Sequence, residues 1–374
     1  MGPLAGVKIM EFTGIGPAPL AAMLLADMGA TVIRIDRVAA TDLGVPMADH
    51  LDFTKRNRAV LKLDLKKPEA IALALRLIDG ADGLIEGFRP GVMERLGLGP
   101  DVCLHRNPKL AYGRVTGWGQ EGPLSQAAGH DLNYIALTGA LHAIGRAGQK
   151  PTPPLNLVGD YGGGAMYLVT GLLAAIISAR TTGVGQVVDA AMVDGALSLM
   201  TPIYGMKAAG RMDGPRGHNQ LDSGAYYYEV YECADGQYIS IAPIEAKFHA
   251  ELLRLLEIDP AILPAQRDPD GWLRWKEVLS ERFRTRSRDE WCRILEGSDA
   301  CFAPVLSMDE AHAHPHNQAR SAFIDVGGIR QPAPAPRFGV TRSAPPRLPG
   351  AVSAAEVLAT WGLSATDIEA AGGA

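Results

Sequence analysis

The first thirty-six residues limit this 374-residue chain more than any other stretch does. Val7 to Phe12 reads as a short strand, and Gly14-Ile15-Gly16-Pro17 interrupts it. From Pro19 to Met28 apolar side chains recur at helical spacing (Leu20, Met23, Leu24, Met28) until Gly29 stops them. Thr31 to Ile35 alternates and is rich in β-branched residues, which marks a second strand. Strand, helix and strand in so short a span imply a parallel pair with a right-handed crossover. Further strands are predicted over 59–65, 83–88 and 110–116, with a helix over 68–78 that carries proline in its first turn. The first 200 residues therefore read as α/β.

The texture then changes. Residues 205–225 are rich in Gly, Arg, Asp and Asn and read as a linker. Strands over 226–233 and 238–242 follow, joined by the turn Ala234-Asp235-Gly236-Gln237. Helices are expected over 246–256, 275–283 and 289–295, which makes 226–325 a smaller α+β unit. The proline-rich stretch 326–350 reads as a second, extended linker, and a short helix near 354–361 closes the chain. A small unit between two linkers implies a large domain built from both ends: residues 1–204, rejoined by 351–374.

Composition narrows the function classes. A formal charge of −5, with no run of basic residues, gives no footprint for nucleic acid. The cysteines Cys103, Cys233, Cys292 and Cys301 form no CxxC pair, so neither a zinc site nor a disulfide framework is expected, and a reducing, cytoplasmic setting is. The N-terminus shows no signal-peptide pattern. The most apolar run, 165–179, is too short to span a bilayer, so no membrane insertion is expected.

Several residues carry chemistry. Gly14-Ile15-Gly16, with Asp36 about 20 residues on, has part of a dinucleotide fingerprint, but the third glycine is missing and Arg37 follows the acid. A tight βα turn is the better reading, without nicotinamide. His130 opens a helical pattern (Leu132, Ile135, Ala136), and a helix start disfavours the imidazolium, leaving a neutral base. Asp160 stands before Gly162-Gly163-Gly164 and a long apolar helix. It is placed to cap that helix, with free N–H groups beside it for an oxyanion and glycines that let a ligand close. On the residues alone, a structural histidine and a plain N-cap stay open. His312, His314 and His316 have no acidic or Cys partner at ligand spacing and read as a solvated loop, so no metal is expected. Glu245, between strand and helix, reads as a helix-start acid.

Taken together, Gly14-Ile15-Gly16-Pro17, Arg34-Ile35-Asp36-Arg37, Leu63-Asp64-Leu65-Lys66, Arg89-Pro90-Gly91, Gly117-Trp118-Gly119-Gln120, Gly129-His130-Asp131, Asn156 to Asp160 and Gly183 to Asp189 resemble family III coenzyme A transferases (CaiB/BaiF), and within them the α-methylacyl-CoA racemases. The resemblance covers nearly the whole chain. It implies a large Rossmann-like parallel-sheet domain, a small domain, two long linkers, and a homodimer of interlocked chains that share active sites. It implies an acyl-CoA substrate, with inversion of the α-carbon of 2-methylacyl-CoA thioesters and no cofactor beyond the substrate's own coenzyme A. His130 and Asp160 would then be the two acid–base groups, with Glu245 of the other chain supporting His130. Arg37, Lys62, Leu63, Asp64, Leu65, Phe88, Arg89, Arg95, Gly129, Asp131, Leu132, Asn133 and Tyr134 would contact the coenzyme. Racemases read Gly-Gly-Ala-Pro-Tyr-Tyr where this chain has Ser223-Gly224-Ala225-Tyr226-Tyr227-Tyr228. Two other readings stay open: a transferase moving coenzyme A between carboxylates through an anhydride on Asp160, and a non-catalytic acyl-CoA binder.

Overall fold

Six parallel strands form the central sheet of the computed structural model, which describes residues 2–39, 44–262 and 264–370. They are β1 (Lys8–Phe12), β2 (Thr31–Asp36), β3 (Ala59–Lys62), β4 (Gly83–Glu86), β5 (Ala111–Thr116) and β6 (Gln186–Ala191), in the order β3-β2-β1-β4-β5-β6. β4 and β5 are buried along their whole length, as parallel strands covered on both faces must be. Helices that accompany this sheet include α1 (Pro17–Asp27), α2 (Pro68–Asp79), α3 (Pro100–Arg106), α4 (Asp131–Ala136), α5 (Met166–Thr182) and α6 (Met192–Leu199). The first three each begin with proline, whose missing N–H costs nothing there.

Alternate residues of β1 feed two cores. Ile9 packs with Ala18 and Leu25 of α1 and Leu168 and Leu172 of α5. Met10 and Phe12 pack on the other face with Leu73 and Leu77 of α2, Cys103 of α3 and Leu358 near the chain's end. Strand order reverses between β1 and β4, and the crevice at the carboxyl ends of such a pair is where ligands of α/β sheets bind.

The chain divides into two units. The larger comprises Met1–Gly139, Pro154–Met200 and Ser321–Ala374; the smaller comprises Ala140–Pro153 and Thr201–Arg320. The smaller unit holds the antiparallel sheet of β7 (Glu229–Glu232), β8 (Tyr238–Ile241) and β9 (Phe302–Pro304), with α7 (Ala246–Leu255), α8 (Trp272–Phe283) and α9 (Arg288–Leu295). Tyr226, Tyr227, Trp275, Phe283 and Trp291 fill its core.

Three expectations are corrected. The stretch read as an extended linker from 326 begins inside an antiparallel hairpin, β10 (Phe323–Val326) and β11 (Ile329–Pro332). Helix Thr201–Ala208 runs into the first linker. The apolar run read as 15 residues belongs to a continuous helical segment, Leu157–Thr182, long and apolar enough by length and composition to cross a membrane. Half of its most apolar window is buried inside the protein, where α5 packs against β5 and β6.

Candidate active site

Asp160 lies within a wide helical turn, Leu157–Ala165, of π geometry that runs straight into α5. It does not cap a helix, which corrects the expectation: the helical path starts three residues earlier. The wide turn is needed because this backbone meets α6 at contact distance. A side chain at Gly195 would overlap Gly163 O, and a Cβ at Gly163 would lie 2.7 Å from Ala196 N. A Cβ at Gly164 would lie 2.8 Å from the Pro17 ring. The three glycines thus serve packing within the protein rather than approach of a ligand. The Asp160 N–H is also committed, donating to Asp131 Oδ1 at 2.6 Å, so it offers no oxyanion site.

The Asp160 carboxyl is buried against the first βα turn. A Cβ on Gly16 would be 3.1 Å from its Oδ2, and Gly16 holds φ at +68°, a conformation that glycine alone takes without strain. Asn156 Nδ2 donates to Oδ2 at 2.6 Å. Burial raises the Asp160 pKa. The Asn156 donor lowers it, the Asp131 charge adds to the rise, and His130 opposes it when charged. A dinucleotide's pyrophosphate would meet this carboxylate at the turn. Asp36 is engaged as well, paired with Arg34 Nε at 3.0 Å and bonded by the Thr13 hydroxyl.

His130 is the residue at which α4 begins, exposed, with extended backbone. Its N–H donates to Asn133 Oδ1 at 3.0 Å. Asp131, buried, ties this start to Asp160, so the base and the acid predicted from sequence flank one hydrogen bond. A Cβ on Gly159 would overlap Asp131 Oδ1, which fixes glycine there. Tyr134 fills the space left by Gly117 and Gly129, bonds Gly129 O and meets Trp118 edge-on at 4.8 Å. Its hydroxyl is pushed up to about 12 by burial, with the Asp160 charge adding to this and Arg89 acting against it. Leu132 and Asn133 are exposed.

Of the other predicted coenzyme residues, Arg37, Lys62, Leu63, Asp64, Leu65, Phe88 and Arg89 end or follow β2, β3 and β4. Asp36 and Lys62 are register partners on β2 and β3. Arg37 follows Asp36, and its guanidinium stands 5.9 Å over the Phe88 ring from the β4 turn. Arg37, Lys62, Arg89 and Arg95 are exposed. Such a cationic rim suits phosphate oxygens. Leu63 is different: its side chain is buried in the core, and Leu65 packs on that core. Asp64 accepts from Lys66 N at 3.2 Å and shapes the turn.

Glu245 lies in the smaller unit, exposed at the start of α7, where its carbonyl accepts from His249 N at 3.0 Å. His314 Nε2 is 2.9 Å from Glu296 Oε1, and among the described residues no three His, Cys, Asp or Glu side chains converge as a metal cluster. Sequence reasoning missed Asn156. Its spacing of four from Asp160 is the helical signal that would have found it, had the helix been started at 156.

The fold and this edge define a class: an α/β protein of nucleotide-binding topology with a buried aspartate against the turn at its switch point. The chain belongs to CoA-transferase family III, whose profile matches residues 4–351. It is 40% identical to the alpha-methylacyl-CoA racemase of Mus musculus over 343 residues, 91% of this chain and 88% of that protein. Identity to the alpha-methylacyl-CoA racemase of Homo sapiens is also 40%, over 323 residues, 86% of this chain and 82% of the relative. The crystal structure of a CaiB/BaiF family protein from Brucella suis shares the fold, with a TM-score of 0.80 at 24% identity, covering 96% of this chain and 99% of that one.

Proposed function

We propose that the protein inverts the α-carbon of 2-methylacyl-CoA thioesters by two-base proton transfer through an enolate. The observation that supports this is the bond from Asp160 N–H to Asp131, the neighbour of His130, which ties together the two segments that carry His130 and Asp160. One group takes the α-proton, whose electron pair passes to the thioester oxygen, and the other returns a proton to the opposite face. No electrons leave the substrate, so no redox partner or nicotinamide is required. A carboxyl raised by burial gives up and retakes a proton more readily near neutrality than an ordinary aspartate. The two racemases at 40% identity support the same reading. The coenzyme is taken to lie along Arg37, Lys62, Phe88, Arg89 and Arg95, and Glu245 of the other chain to support His130. Two chains interlock in this reading, in the cytoplasm, with the apolar helix kept against the sheet.

The test follows deuterium uptake from each pure epimer of a 2-methylacyl-CoA in deuterium oxide. His130→Ala is expected to lose racemisation by on the order of 10²–10⁴ while still exchanging the epimer that faces Asp160. Asp160→Ala should show the mirror pattern. Racemisation at the wild-type rate in His130→Ala would end the two-base reading. A requirement for a carboxylate acceptor, with hydroxylamine trapping of an activated Asp160, would favour coenzyme A transfer instead. A fully active monomer at low micromolar concentration would remove the shared active site.

A further inference from the structure

Behind the exposed arginines of the β4 turn lies a carboxylate–guanidinium–carboxylate chain, buried at Glu86 and Arg114 and open to solvent at Glu94, that the proton chemistry does not use. Glu86 ends β4, fully buried, in register with Arg114 on β5. Its Oε1 accepts from Arg114 Nε at 2.7 Å, and its Oε2 accepts from the backbone N–H of Phe88 at 2.7 Å. Arg114 donates onward to Glu94, Nη1 to Oε1 at 2.8 Å and Nη2 to Oε2 at 3.3 Å. Glu94 belongs to the single helical turn Val92–Arg95, which Gly91 opens with φ at +84°.

One guanidinium therefore ties down both ends of segment 87–95. That segment carries Phe88, Arg89 and Arg95, and the Phe88 ring underlies Arg37. Two carboxyl groups share one cation here, and burial raises the Glu86 pKa, so the chain offers no net positive charge to a phosphate. What it supplies is geometry. Charge-assisted and bidentate bonds are the strong, directional ones. Removing Arg114 would leave the buried Glu86 without its cation, and that one guanidinium is what joins the two carboxylates. A loop ordered in advance loses less freedom when a ligand arrives.

We propose that the Glu86–Arg114–Glu94 chain is the positioning device that holds the β4 turn ready for the coenzyme's phosphates. This rests on the reading that acyl-CoA lies along this edge. Glu86→Gln and Glu94→Gln are compared with wild type and with Arg89→Ala. Free coenzyme A is titrated by calorimetry, and kcat and KM are measured on a 2-methylacyl-CoA and on the matching acyl-pantetheine, which lacks the nucleotide and its phosphates. Glu86→Gln should raise Kd for coenzyme A and KM for the acyl-CoA on the order of tenfold, with kcat held within about threefold. Its kcat/KM on acyl-pantetheine should equal that of wild type, a result that general damage to the fold would not give. Glu94→Gln should act in the same direction and less. It carries the test if Glu86→Gln does not fold, because the Glu94 side chain is 45% exposed and its loss leaves the Glu86–Arg114 pair in place. Unchanged affinity in both variants overturns the proposal, and so does an equal loss on acyl-pantetheine. Wild type failing to bind coenzyme A, or Arg89→Ala binding it as tightly as wild type, overturns the reading of the edge itself.

Discussion

Asn156 stabilises the charged form of Asp160 by donating to its Oδ2 at 2.6 Å. Removing that donor raises the carboxyl pKa further. In Asn156→Ala the acid limb of the kcat/KM profile, where Asp160 loses its charge, should therefore move to higher pH. A limb that stays in place, or moves down, would separate Asn156 from Asp160 function. Gly16 is the other contact of this carboxyl. Gly16→Ala puts a Cβ 3.1 Å from Oδ2 at a φ of +68°. The backbone alone, with ψ at −118°, costs a residue with a Cβ on the order of 1–3 kcal/mol, and displacing the carboxyl should cost kcat on the order of 10². Single-turnover rates and thermal melts of the variant separate the two effects. At this scale the sequence was informative where chemistry is rare: His130 and Asp160 stood out by residue type and position. Gly16 was visible only as half of a nucleotide turn, because nothing in its neighbours says that the anion it meets is the protein's own side chain.

The elements that could be read were those with a strong local pattern. β1, α1, β2 and α2 come from apolar periodicity with proline or glycine at the ends, and the β7–β8 hairpin comes from its turn, where Gly236 takes φ +73°. β6 was not found as a strand: Gln186, Val187 and Asp189 are exposed on this edge strand, so its apolar pattern is diluted. The π turn was illegible for a different reason. Its width answers to α6, which is more than 25 residues later in sequence, and apolar spacing carries no trace of that crossing. Gly195→Ala tests the contact directly. The added methyl meets Gly163 O head-on, and overpacking of two backbones should cost about 3 kcal/mol, read as a lowered denaturation midpoint with an unchanged m-value. A midpoint equal to that of wild type would mean that α6 and the π turn part easily.

For the molecule as a whole, acid should act first through the smaller unit. His249 is buried, its Nε2 is 2.6 Å from the Tyr226 hydroxyl, and burial pulls its pKa down to about 4. Unfolded, it titrates near 6.5. The unfolded chain thus binds the proton more readily, so this stability is complete above pH 6.5 and is lost as pH falls toward 4. The loss approaches 1.4 kcal/mol per pH unit, about 3 kcal/mol in all. Urea unfolding at pH 7.5, 5.5 and 4.5, followed by tryptophan fluorescence, checks this, and His249→Phe should flatten the dependence in that window. An equally steep wild-type and variant profile would place the sensitivity elsewhere. Clusters of glycine and proline suggest linkers at 205–225 and 326–350, but the first lies inside the smaller unit and the second inside the larger, and the share of 140–153 in the smaller unit was hidden inside an α/β stretch. The larger unit draws on both ends: Val352 pairs with Ala59 beside β3, Leu358 is fully buried in its core, and Trp361 Nε1 bonds Leu77 O at 3.0 Å. During synthesis, then, every residue of the smaller unit emerges from the ribosome before the larger one can be finished. The half made first must wait, its α2 face unsealed, while the half made second folds, so a pause late in translation is the moment when this chain is most exposed to chaperones and to aggregation.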